Sequence, residues 1–281
     1  MASLLISLLL FLILPMVVPA WITTPLQQHA SSRLFASEQD DNDATPLSMS
    51  ENDLERLTQL RSRHKTIPIM ILDAMLPGQR LEFSLRDKRF RVLAERLQTE
   101  NEELGMIGFD PATGNPLNAG VTVKINKLEV EETICTLSIE GLERFEVQGE
   151  PEIDETNSYY MANVEIVEGR SPELTSEQLH EAETLHKDIP DLVQEWLQWI
   201  YKTGRASPDS MKPRLPGEMP DEIGARAVWA AALVNPIPSL GVCLEIRPSM
   251  LVCQNDLERA RLAHASLQAS IDHLSGKQKL F

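Results

Sequence analysis

The chain has 281 residues, with 26 Lys and Arg against 42 Asp and Glu and a formal net charge of −16. Hydrophobic residues make up 42% and charged residues 24%, ordinary values for a chain that buries a core as one large domain or two modest ones. The first 37 residues hold one base, Arg33, and no acid, so the remainder carries 25 bases against 42 acids, or −17; a surface that negative repels phosphate backbones and argues against a nucleic-acid partner.

Residues 4–14, LLISLLLFLIL, form an apolar core of signal-peptide length, and Val18-Pro19-Ala20 sets small residues before a cleavage point, so 1–20 reads as a signal peptide. Pro15 and Pro19 close the run short of the roughly 20 apolar residues of a membrane span, and nothing after residue 37 approaches that length. No membrane anchor is expected once the leader is cleaved. Residues 21–37, WITTPLQQHASSRLFAS, are hydroxylated, amide-rich and acid-free, as transit peptides are. The pair resembles the bipartite plastid presequence of algae with secondary plastids, in which Phe usually follows the cleavage point; here it is Trp21. The expected location is the plastid stroma, the alternative being secretion. Three cysteines without a CxxC pair (Cys135, Cys243, Cys253) and the lack of an Asn-x-Ser/Thr sequon favour the plastid.

Residues 38–65 read as an acidic, mostly disordered lead-in, with a short helix suggested by LERLTQL at 54–60. Ile67 to Leu72 predicts a buried strand; Leu81, Phe83 and Leu85 alternate as a half-buried one. Between them Pro77-Gly78 has the chemistry of a type II turn joining a hairpin. Phe90, Leu93, Ala94 and Leu97 place one apolar face on a helix over 87–100. Leu104 to Phe109 returns to strand, and 110–120 predicts a long loop. VTVKI, LEVEE, TICTLSIEG and LERFEV then alternate with period two, Gly141 marking a sharp bend or close backbone approach, and Tyr160, Ala162, Val164 and Ile166 face together in the last strand. So many short strands around one early helix predict a small curved sheet or barrel.

After Pro172 the pattern turns helical. Ser176 is a candidate cap, Leu185, Leu192, Trp196, Trp199 and Ile200 share an apolar face, and Pro190 predicts a kink or break near Ile189. A proline-rich loop spans 203–220. A further helix runs from Asp221 to Asn235, and the last from Asn255 or Asp256 to Gly276.

Taken in order, IPIMILDAMLPGQRLEFSL (67–85), RFRVLAERLQ (89–98) before LGMIGF (104–109), the run from Gly120 ending in GLERF, the Tyr159 or Tyr160 strand and EIRPSMLVCQNDLERARL (245–262) resemble the Lon N-terminal domain. This is the PUA-like substrate-recognition module of Lon proteases, found also in stand-alone proteins and in cereblon-type ubiquitin-ligase receptors. The likeness covers about residues 66–275. Two positions depart from it: Leu76 replaces the aromatic before Pro-Gly, and Val121 the Thr or Cys after the central Gly. The resemblance implies an α+β fold, a PUA-like small β-barrel over 66–170 followed by a C-terminal α-helical subdomain over 171–281. It makes Pro77, Gly78, Gly120, Gly141, Arg144 and Phe145 structural signature positions. It implies binding of polypeptide clients, or of a protease or chaperone partner, through apolar surface expected near the first hairpin and the 203–220 loop. The alternative is RNA binding, as in other PUA-like barrels, which would need a basic stripe with exposed aromatics.

No catalytic, cofactor-binding or metal-ligating set is expected. There is no GxxxxGK[ST] loop, and the nineteen positions after residue 262 are too few for a protease domain. HEAETLH (180–186) resembles a zinc-protease helix, but its histidines are six apart and fall on different sides of a helix. Cys243 and Cys253 read as buried small hydrophobes, Arg144 as a surface ion-pair partner, and Trp196, Trp199 and Trp229 as core.

Overall fold

The computed structural model describes residues 63–100, 103–131, 134–154, 159–167 and 172–279, all within one compact unit, Met49–Phe281. The two leader segments over 1–37, the lead-in up to residue 62 and the helix expected at 54–60 lie outside the described residues.

Five strands close on themselves. β1 (His64–Ile71) runs parallel to β3 (Leu104–Phe109), which pairs antiparallel with β4 (Pro116–Val130); β4 pairs with β5 (Cys135–Val147). The end of β5 reaches β7 (Tyr160–Ile166), Phe145 opposite Ile166, and β7 returns to β1, Ile69 opposite Tyr160. β2 (Arg80–Leu85) is added outside the ring on β5, and β6 (Glu152–Ile153) on β7. A parallel pair such as β1–β3 needs a crossover. Here it consists of β2 and α1 (Lys88–Glu100). Helix α1 lays Leu93, Ala94 and Leu97 over Met70, Met106, Leu137 and Ile139. Ile67, Ile69, Ile107, Phe145, Ala162, Val164 and Ile166 fill the barrel. β1 and β3 are thus covered on both faces, which is why IPIMI and LGMIGF are continuously apolar rather than alternating.

Two strand expectations change, and a third is sharpened. The turn at Pro77-Gly78 does form, Gly78 having φ +76°, but it does not join a hairpin: β1 pairs with β3 and β7, and β2 with β5. The chain between them arches over the barrel and buries Ala74, Met75 and Leu76. Gly141 does not end β5, which runs through it with a register shift against β4 between Gly141 and Arg144, and its absent side chain leaves room for the arch. The loop after β3 ends at Asn115, since Pro116 to Gly120 already pair with β3 and β5.

The remaining helices are α2 (Ser176–Lys202), α3 (Pro208–Met211), α4 (Ile223–Val234), α5 (Arg247–Val252) and α6 (Asp256–Leu274). Thr175, one residue before the expected cap, closes a capping box with Gln178. Helix α2 continues through Pro190 instead of breaking. Proline removes the N–H that the His186 carbonyl would accept, and Arg226 Nη1 donates to that carbonyl at 3.3 Å instead. The Ala-rich α4 is buried on nearly all sides, between α2 and α6. Barrel residues Ala74, Leu76, Ala119 and Val121 join the same apolar cluster as the helices, so the tail buttresses the barrel wall.

Candidate functional site

The six signature residues lie on β4, on β5 and at the turn before β2. Phe145 is fully buried, its ring edge against Gly105 and Gly120: a Cβ on Gly120 would stand 2.6 Å from Phe145 Cζ and 2.4 Å from the Met106 carbonyl oxygen. A Cβ on Gly141 would meet the Leu76 carbonyl at 2.6 Å, and one on Gly78 the Pro216 carbonyl at 2.7 Å. Pro77 begins the turn that makes these approaches. Arg144, expected at the surface, is buried, and its Nη2 donates to the Leu251 carbonyl at 2.9 Å, tying β5 to α5.

A polar seam between barrel and helices escaped the sequence reading. Buried Gln79 donates from Nε2 to the carbonyls of Ala232 (3.1 Å) and Asn235 (2.7 Å) and accepts from Leu76 N–H (2.9 Å). Asn235 donates to the Leu244 carbonyl and accepts from Ile246 N–H. Arg247 reaches Glu245 at 2.6 Å and Asp73 at 3.2 Å. These residues are scattered over 174 positions and share no local pattern, so only folding brings them together.

The other chemical candidates are dispersed. His180 is exposed, while His186 lies beside Arg226, where burial and then the guanidinium hold its pKa below the ordinary value. Burial pushes the Cys243 thiol up to about 12 and also raises Cys253 and Cys135. Cys253, expected to be buried, is only half-buried. Trp196 is core, donating to Ser270 Oγ at 2.8 Å; Trp229 donates to the Gly217 carbonyl, and Lys202 lies 4.3 Å from the centre of the half-buried Trp199 ring. Among the described residues no group of three or more His, Cys, Asp or Glu is placed to hold a metal ion.

The apolar surface lies elsewhere than expected. The arch at 74–76 is buried, and the 203–220 segment contains α3 and a 3-10 turn, buries Met211 and lies against Gly78 through Pro216. The two expected surfaces cover each other. Three of the exposed apolar side chains, Phe109, Tyr160 and Ile153, lie towards the barrel mouth where β1 and β3 end, while Val130, Leu142, Leu179, Tyr201 and Leu244 are exposed elsewhere. Ile153 pairs with Tyr160 and Tyr160 with Ile69, so Ile71 is the diagonal neighbour of Tyr160; Ile71 pairs with Ile107, two residues before Phe109. All of these carry the parity of the barrel interior, but at the rim the interior runs out. Ile153 remains 58% exposed, Phe109 44% and Tyr160 40%. Leu117, packed against both barrel and helical cores, connects this rim to a cleft of about 570 Å³ between the 110–118 segment and Pro248, Ser249 and Val252 of α5. Strand parity in LGMIGF and in YMANVEI puts Phe109 and Tyr160 on the inner face; only the ladder register reveals that both are at its open end.

No protein-family model matches the chain, and no curated protein does. Among solved structures it is similar to a Lon N-terminal domain protein from Xanthomonas campestris, at 19% identity and TM-score 0.44, over 72% of this chain and 98% of that one. It is similar also to the N-terminal domain of Mycobacterium avium complex Lon protease, at 17% identity and TM-score 0.48, over 74% and 100%.

Proposed function

We propose that this is a non-catalytic protein of the Lon N-terminal type that binds polypeptides at the mouth of its barrel. It serves as a recognition, adaptor or scaffold component of protein quality control in a plastid, which it reaches through its leader. The ordered motifs from residue 67 to 262 support the type. The observation that carries the binding reading is the exposed rim of Phe109, Tyr160 and Ile153. Apolar side chains at the open end of the barrel offer an extended chain somewhere to dock its own apolar side chains. Burying the exposed parts of three such side chains removes on the order of 250 Å² of apolar surface, a gross gain of about 6 kcal/mol. Much of that is consumed by lost translational and rotational freedom, which leaves a weak, reversible contact suited to sampling many clients.

The test is suppression of aggregation of a chemically denatured client by the purified protein. Suppression is expected, and it is lost in the Phe109→Ser, Tyr160→Ser double variant while circular dichroism is unchanged. No suppression, with no polypeptide retained from plastid extract, would remove the reading. For location, residues 1–40 fused to a fluorescent reporter should deliver it to the plastid; secretion of the reporter would contradict that part.

A further inference from the structure

The sheet has two edges, and they are finished differently. At one edge β6 is two residues long, and a very short strand gives little for another chain to pair with. At the other edge lies β2, six residues in unbroken register with β5 from Arg80 to Leu85, and among the described residues no strand lies beyond it. Gly141 N–H donates to the Gln79 carbonyl at 2.9 Å. By the alternation of an antiparallel ladder, Leu81, Phe83 and Leu85 then bond to β5, while Arg80, Glu82 and Ser84 turn their N–H and C=O groups outward. Arg80, Glu82 and Ser84 are exposed, and Leu81, Phe83 and Leu85 only half-buried. A regular edge of this length, without proline or bulge, is a template for a further strand.

The charges on that edge say which strand fits. Across the outer face the ladder sets Lys124 opposite Glu140 and Glu140 opposite Arg80, so the next place in the row suits an acid. Arg80 reaches Glu140 through Nη2 at 3.2 Å with its side chain 58% exposed, and its guanidinium keeps donors for a second carboxylate. Glu82, two residues along, is exposed and faces Ser138; Lys127, on the far side of Ser138, pairs with Glu129 at 2.8 Å. A second β2, antiparallel about a two-fold axis at Leu81, sets Glu82 of each copy opposite Arg80 of the other. The next two registers that join outward-facing groups set Glu82 against Glu82 or Arg80 against Arg86, like charges directly opposed. We propose that the free edge of β2 is a self-association surface, at which two copies of this chain pair β2 with β2 about Leu81 and continue one sheet into the other. The contact is isologous and small, so the dimer is weak and concentration-dependent. It is independent of polypeptide binding at the barrel mouth.

The experiment is sedimentation velocity of the purified protein over a concentration series, with two charge-reversal variants, Arg80→Glu and Glu82→Lys, run separately and mixed. The parent should show a monomer–dimer equilibrium. Each variant alone sets like charges opposite each other at both contacts and should weaken the dimer about ten-fold, with circular dichroism unchanged. One copy of each variant restores both pairs in opposite sense, so the equimolar mixture should dimerise about as well as the parent, and added salt should weaken both. Three results would overturn the proposal: a parent that stays monomeric at the highest concentration reached, variants that dimerise as the parent does, or a mixture no more associated than its components. A monomeric parent whose residues 80–84 gain amide protection when an unfolded client is added would give the edge to another polypeptide instead of a second copy, and would overturn it too. None of these results bears on suppression of client aggregation, which is measured separately.

Discussion

Replacing Gly120 by alanine tests whether the barrel is packed as described. Alanine is ordinarily better than glycine inside a strand by roughly 0.5–1 kcal/mol, so propensity alone predicts a small gain. The packing predicts the reverse. The added methyl would sit 2.4 Å from the Met106 carbonyl oxygen, 2.6 Å from Phe145 Cζ and 3.0 Å from Ile107 Cγ1. Phe145 is fully buried inside the barrel and cannot swing out, and the Met106 carbonyl belongs to the strand that Gly120 pairs with. The β3–β4 ladder must spread. Overpacking of a core costs about 1–3 kcal/mol, and with backbone opposing the methyl the upper end, about 3 kcal/mol, applies. At about 2–4 °C per kcal/mol for a domain of this size, the melting temperature should fall by about 6–12 °C. Thermal unfolding followed by far-ultraviolet circular dichroism, with a urea titration to check that the m-value is unchanged, reads this out. Adding Phe145→Leu to Gly120→Ala removes the ring contact but not the carbonyl one, so part of the loss persists. A Gly120→Ala protein as stable as the parent, or more stable, would refute the packing argument.

Gln79→Ala leaves the Ala232 and Asn235 carbonyls and the Leu76 N–H without their partner, and should cost about 3 kcal/mol in a urea titration; a loss below about 1 kcal/mol would mean that the seam does not hold barrel to helices. His186 resists protonation when folded, because burial and Arg226 disfavour the charged ring. The unfolded chain therefore takes up the proton first, and stability falls as pH drops from the ordinary histidine value towards the lower folded one. His186→Gln should flatten that slope between pH 7 and 5, and parallel slopes in the two proteins would contradict the assignment. Native-state alkylation at mildly alkaline pH should modify Cys253 ahead of Cys135 and Cys243, the last held up to about 12 by burial; fast labelling of Cys243 before unfolding would show that its pocket is open.

Local chemistry was legible in the sequence, and non-local pairing was not. Continuous apolar runs located β1 and β3 and period-two runs the other barrel strands, the apolar face of α1 was readable from Phe90 to Leu97, and Asn255 and Gly276 bound α6. Pro77-Gly78 encodes the turn, but a turn does not specify which strands pair, and here the pairing partner of β2 lies more than fifty residues further on. Pro190 failed as a stop signal because Arg226, distant in sequence, satisfies the carbonyl that proline abandons. Gly141 was correctly read as a close approach; its neighbour there, the Leu76 backbone, is far away in sequence. The docking rim was invisible for the same reason. Phe109 and Tyr160 look like core residues until the ladder shows that the barrel ends beneath them.

Amide hydrogen exchange, run with and without an excess of an unfolded client, decides where a polypeptide sits. Slowed exchange should appear in residues 107–118 and 160–163, with the outer edge of β2 and the surface of α2 unaffected. Slowed exchange confined to residues 80–85 or to α2, with the barrel mouth unchanged, would contradict the account.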